Sequence, residues 1–187
     1  FSLPQTYAHF DQRMDILQNL SEKYPDEVRS LCLKELKGIS STVFTHTNQF
    51  QWRWMERQFT PKYIESIPAE YVQRVVDLML QLTQWTDNDI CEYLELSSND
   101  YMRYSRNCLL AAISEHKEQM KGNDLIVETL RKDIRKHRSC KKAKWVLNDE
   151  ELKPYENLLS EIESEDIVLR NKHCFDDNFV DNWDFDN

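Results

Sequence analysis

Glycine occurs only twice in this chain of 187 residues, at Gly38 and Gly122. Tight hairpins and phosphate-cradling loops depend on glycine because it reaches positive φ without a side-chain clash, whereas helices tolerate it poorly. The expected fold class is therefore all-α: a multi-helix bundle joined by short polar turns. The same scarcity means that neither G-x-G-x-x-G nor G-x-x-x-x-G-K-[ST] can be written, which argues against dinucleotide and P-loop nucleotide binding. Hydrophobic residues make up 40% and aromatics 11% of the chain, enough to build a core.

Read in order, residues 6–24 carry Phe10, Met14, Leu17, Leu20 and Tyr24 at helical spacing. After Pro25, the residues Val28, Leu31, Cys32 and Leu36 form a second stripe that Gly38 is placed to end, so the two segments read as a helical pair. A Ser/Thr-rich link over 39–48 leads into Phe50-Gln51-Trp52-Arg53-Trp54-Met55-Glu56-Arg57-Gln58-Phe59. Aromatic residues interleaved with arginine suit base stacking and interface anchors alike. Phe50, Trp54 and Arg57 also share one helix face, and burial of that face in the core is the plain alternative. Trp52 and Trp54 are candidate partner-binding residues.

The central stretch, Ser66 to Lys121, reads as one helix over Tyr71–Leu82, a second over Asp89–Leu96, a turn at Ser97-Ser98-Asn99-Asp100, and a third from Tyr101 through Ile113. Ile90, Cys91, Leu94, Leu96 and Ser97 stand where the helix-turn-helix of DNA-binding regulators wants apolar, small, apolar, apolar and capping residues, and residues 90–104 resemble that motif. Two departures are Glu95 in place of the turn glycine and Tyr101 in place of a small aliphatic residue. The resemblance implies a reading helix with Arg103 and Arg106 near the phosphates, although Asn99 and Asp100 stand at its start. Helical units of this kind serve protein contacts as well as DNA.

Charge is segregated. Arg131, Lys132, Arg135, Lys136, Arg138, Lys141, Lys142 and Lys144 face one acid in their run, Asp133, for a net +7; within a total of −9 the rest of the chain carries −16. The run starts as a helix capped by Asn123 or Asp124, with Leu125, Ile126, Leu130 and Ile134 as its expected apolar face. Its cations suit nucleic acid, an acidic protein surface, anionic lipid or a nuclear-import signal, and a solvated helix face accounts for them equally well. A helix opening at Asp149-Glu150-Glu151 carries Tyr155, Leu158, Leu159 and Ile162. Beyond Lys172, acids alternate with Phe175, Phe179, Trp183 and Phe185 and no further Lys or Arg follows. Such a stretch is too acidic to fold alone, yet a helix induced by a partner would align Phe175, Phe179 and Trp183; the plain alternative is a tail folded back on its own domain, its aromatics in a groove and its carboxylates near the Arg131–Lys144 run.

The domain organisation expected is a helical domain over 1–172, divisible into an N-terminal pair within 1–60, a central tri-helical unit over 61–121, and basic then acidic helices over 122–172. The tail spans 173–187. No apolar run approaches the roughly 20 residues of a membrane span. Five widely spaced cysteines suit reduced thiols, hence an intracellular setting, with the nucleus favoured. His137-x-x-Cys140 and His173-Cys174 lack a second thiol pair, so no metal is expected, no cofactor is called for, and no G-x-S-x-G or H-E-x-x-H pattern marks an enzyme. The function expected is a non-enzymatic protein-interaction module. Phe175, Phe179, Trp183 and Phe185 would anchor in a partner's basic or apolar groove. The alternative is nucleic-acid binding through Arg103, Arg106 and the basic run.

Overall fold

The computed structural model describes residues 10–38, 68–140 and 143–170, and all regular structure among them is helical. The Ser/Thr-rich link, the aromatic segment with Trp52 and Trp54, Lys141, Lys142 and the tail with Phe175, Phe179, Trp183 and Phe185 lie outside the described residues. The chain forms two compact units, Phe1–Leu82 and Thr83–Asn187. The expected tri-helical unit over 61–121 does not coincide with either, because the division falls after its first helix.

The first unit contains α1 (Phe10–Ser21), α2 (Pro25–Lys37) and α3 (Ala69–Gln81). Helices of this length are marginal alone, so their stability comes from the apolar faces they bury together. Val28, Cys32, Leu33 and Leu36 of α2 pack with Tyr71, Val75, Val76 and Met79 of α3 and with Met14 of α1 in the buried core. Each buried aliphatic side chain contributes roughly 1.5–3 kcal/mol of apolar transfer. The expected stripe is corrected at one position: Leu31 is exposed and Leu33 is buried, on a helix that packs against both α1 and α3 rather than along a single stripe. Leu20 and Tyr24, at the end of the expected α1 stripe, also remain exposed.

Polar groups close the edge of this core. The Tyr71 hydroxyl donates to Glu35 Oε1 at 3.1 Å, and its ring lies 4.6 Å from that of Phe10. Burial, reinforced by the Glu35 carboxylate, pushes the Tyr71 hydroxyl up to about 12. Gly38 ends α2 as expected, but with φ −80, a conformation open to any residue.

The second unit contains α4 (Asp87–Ser97), a 3-10 turn (Asp100–Met102), α5 (Arg106–Ser114), α6 (Lys117–Met120), α7 (Asp124–Ser139), α8 (Asp149–Ile162) and α9 (Ile167–Arg170). Helix α4 packs on α5 and α7, and α8 packs on α7 and α6. Side-chain caps at helix starts satisfy otherwise orphaned amides. Thr86 and Asp89 form a capping box at α4, Asn123 accepts from Leu125 N and Ile126 N at α7, and Asn148 with Glu151 forms a capping box at α8. Tyr93, Leu94, Leu109, Ile113, Ile126, Leu130, Tyr155 and Ile162 are all buried between these helices. Val168 belongs to the separate α9 and is exposed.

Among the described residues, two have left-handed backbone. Trp85 has φ 58, which costs a non-glycine residue roughly 1–2 kcal/mol. Its ring offsets this by stacking on His116 at 4.1 Å and meeting Tyr93 edge-on at 5.8 Å. Gly122 has φ 70 and donates its amide to Ile162 O at 3.0 Å, capping the end of α8. A Cβ built on Gly122 would meet nothing within 4 Å, so substitution there is opposed by backbone conformation alone. Gly122→Ala is expected to lower stability by about 1 kcal/mol and Gly122→Asn by less, read from urea-unfolding midpoints.

Candidate interaction surface

Helix α7 carries most of the basic run, and its neighbours sort those cations into distinct roles. Its buried positions are Ile126, Val127, Leu130, Asp133 and His137, the helical series i, i+4, i+7, i+11 with one flanking residue. The expected apolar face is thereby corrected: Leu125 is exposed, Ile134 is half-buried, and the buried stripe ends on two titratable side chains. Asp133 lies beside Ser98 at the end of α4, and its Oδ2 is buried without a hydrogen-bond partner among the described residues. Burial pushes its carboxyl above the usual carboxylate range despite Lys136 and the Ser98 hydroxyl. His137 is 2% exposed, and burial, with Lys136 and Arg106 nearby, holds its imidazole below the ordinary value.

Beneath α7 lies a buried polar layer organised by Arg106. The last carbonyls of a helix lack intrahelical donors. Arg106, the first residue of α5, supplies one at the end of α4, from Nε to Ser97 O at 3.0 Å, and reaches the link that follows from Nη2 to Asn99 O at 3.3 Å. Its Nη1 reaches Glu151 Oε1 of α8 at 2.7 Å. The Tyr155 hydroxyl donates to Ser97 Oγ at 2.9 Å, and that hydroxyl donates in turn to Leu94 O. Burial pushes the Tyr155 hydroxyl up to about 12. Glu151 is partly buried, which raises its carboxyl, but the Asn148 amide and Arg106 prevail and hold it below the ordinary value.

Two corrections to the helix-turn-helix expectation follow. The helix expected from Tyr101 starts instead at Arg106, after a 3-10 turn and a short link that holds Arg103. Arg106, expected near phosphates, is 4% exposed and has its guanidinium committed to protein acceptors. Arg103 is exposed but paired with Asp100.

Among the remaining cations, Arg131 contacts Glu128 at 2.7 Å and Glu163 at 3.0 Å, and donates to Arg170 O at 2.7 Å. Arg138 pairs with Asp149 and Glu156. Lys132, Arg135, Lys136 and Lys144 are exposed. Trp145, which the sequence reading did not single out, sits in the turn that follows and is 38% exposed. Its ring lies 5.2 Å from Lys136 Nζ and 5.4 Å edge-on from His137. A cationic surface with a half-exposed indole at its edge thus occupies the C-terminal end of α7. A tryptophan next to a lysine-rich run was the available signal for it.

Cys32, Cys91, Cys108 and Cys140 carry thiols rather than disulfides, and burial pushes the Cys32 thiol up to about 11. Among the described residues, no group of three or more His, Cys, Asp or Glu could hold a metal ion, and no helix is long and apolar enough to cross a membrane. The chain matches no protein-family model, and searches of the curated proteins and of the solved structures return no match.

The polar layer leads to a stability prediction. Arg106→Ala strips donors from Ser97 O and Asn99 O and leaves Glu151 unpaired. Because Glu151 stays 36% exposed, the loss belongs at the low end for a broken buried pair, about 3 kcal/mol, read by chemical denaturation.

Proposed function

We propose that this protein is a non-enzymatic interaction module, a subunit or regulator of a larger assembly, whose second unit binds an acidic, aromatic-bearing protein segment at the C-terminal end of α7. The observation that carries the reading is how the cations are divided. Arg106, Arg131 and Arg138 are tied to acceptors within the protein, whereas Lys132, Lys136 and Lys144 have no carboxylate partner among the described residues. Lysines left in solvent beside a half-exposed tryptophan combine long-range attraction with an apolar anchor, the pairing that interface cores and rims use. The buried ionisable groups Asp133, His137 and Tyr155 lie inside the helix packing, which favours a structural role for them over a catalytic one.

The acidic-aromatic tail, with Phe175, Phe179, Trp183 and Phe185, belongs to the same reading as a ligand for a partner's groove. A nuclear location is favoured because the basic run also suits an import signal. Nucleic-acid binding draws on the same lysines. It is weakened by the withdrawal of Arg106 into the interior and by the overall charge of −9.

Fluorescence anisotropy on the full chain separates these readings. The probes are a labelled acidic peptide with phenylalanine and tryptophan every fourth residue, and a labelled DNA duplex. The peptide is expected to bind, and Lys132→Glu with Lys136→Glu to weaken it about tenfold (roughly 1.4 kcal/mol). Trp145→Ala is expected to cost roughly 2 kcal/mol if the indole is an anchor. Duplex binding that falls steeply with salt, with no peptide binding, would transfer the surface to nucleic acid. Failure of both probes removes the surface from consideration.

A further inference from the structure

His137 links the interior of the second unit to the surface turn that carries Trp145. Its Nδ1 accepts a hydrogen bond from the backbone N–H of Leu147 at 3.1 Å. An imidazole nitrogen accepts only through its free lone pair, so the single proton of the neutral ring sits on Nε2. That nitrogen is buried with no hydrogen-bond partner among the described residues. Leu147 is itself 3% exposed, and Trp145 meets the imidazole edge-on at 5.4 Å. The turn is otherwise held by short-range bonds of its own, Ala143 N to Cys140 O and Val146 N to Ala143 O.

A second proton on this ring must go to Nδ1. It would place N–H against N–H across a contact of hydrogen-bond length and create a buried cation. The surrounding charge gives that cation little support. Arg106 from α5 and Lys136 on α7 repel it. Glu151 from α8 attracts it, but the two carboxylate oxygens are already engaged by Arg106 Nη1 and by the Asn148 amide. Asp133, one turn back on α7, is directed to Ser98 at the end of α4, where Glu95 adds negative charge. Tyr155 of α8 carries no charge at these pH values.

We propose that His137 is a proton-operated latch: the neutral ring holds the Ala143–Leu147 turn against α7 through the Leu147 amide, and protonation releases the turn together with Trp145. Release takes the indole away from Lys136, so the surface at the end of α7 changes shape with pH. The inference stands on the His137–Leu147 geometry and holds whether or not that surface binds an acidic partner.

The sign follows from which state takes the proton. The folded ring titrates below the ordinary value of 6.5, so between that value and its own the opened turn binds a proton and the closed turn does not. Closure is therefore complete above about 6.5 and weakens as pH falls, by at most about tenfold in the opening equilibrium per pH unit. Asp133 acts in the opposite direction: its raised value favours the closed, protonated form as pH falls. It cannot mimic the latch.

The test uses the full chain and two nuclear magnetic resonance readouts, the His137 ring resonances and the protection factor of the Leu147 amide against hydrogen exchange, corrected for intrinsic exchange. Between pH 7.5 and 5 the His137 ring is expected to start as the Nε2–H tautomer, and Leu147 protection to fall in step with its protonation. In His137→Asn the side-chain carbonyl replaces Nδ1 as acceptor and does not titrate, so protection at Leu147 should become independent of pH. The latch is overturned if Leu147 protection stays constant while His137 protonates, if the neutral ring carries its proton on Nδ1, or if His137→Asn keeps the pH response. Should that variant fail to fold, the two readouts on the unaltered chain decide the matter by themselves.

Discussion

The second unit depends on one buried guanidinium. A helix that stops inside a protein leaves its last carbonyls without donors, and α4 stops in the interior. Arg106 answers this with three hydrogen bonds that bind the end of α4, the start of α5 and the capping residue of α8 to one planar group. The planar fork suits the task because it serves divergent acceptors without losing its charge. Once Arg106 is fixed, Tyr155 can reach Ser97, and α7 can lie across α4 and α8 with Asp133 and His137 turned inward.

The charge pattern of the surface is a consequence of that packing. A run that reads as one block of cations is divided by its neighbours into structural and exposed members. Arg131 and Arg138 face acids carried by α7 itself, by α8 and by the residues that follow α8, and they help hold those segments. Among the described residues, lysines on the remaining face have no such acids opposite. Exposed ion pairs of the Arg138 kind add little to stability because solvent screens them, so the division affects recognition more than stability. Trp145 enters the surface through its packing on His137, which couples the exposed indole to a buried, titratable ring.

Much of the fold was legible in local sequence. The apolar period of Tyr71 to Leu82 places α3 within two residues at each end, and Asn123 caps α7 as its position before an apolar stripe suggests. Faces were read less well than elements. Spacing from Val28 favours Leu31 over Leu33, because a single helical stripe assumes one covered face, and hydropathy favours Leu125 and Ile134 over Asp133 and His137, because it ranks side chains by their transfer cost alone. Asp133 and His137 are buried at a cost that the helices around them offset with apolar contact and, for His137, one backbone amide. The start of α5 was misplaced for a related reason: Tyr101 and Met102 suit a helix, but the link through Ser105 lets Arg106 reach back to α4.

What the sequence by itself determined was the class of structure: with glycine nearly absent and apolar residues recurring every three or four positions, the backbone satisfies its own hydrogen bonds in helices, and the caps that start them are local. What only the tertiary structure decided was which polar side chains are interior and which cations remain in solvent. Burial and pairing depend on groups brought close by folding, as when Arg106 meets Glu151 from 45 residues away. No local pattern records that distance, so an arginine that resembles a phosphate contact in sequence becomes, once packed, the clamp that closes a helix end.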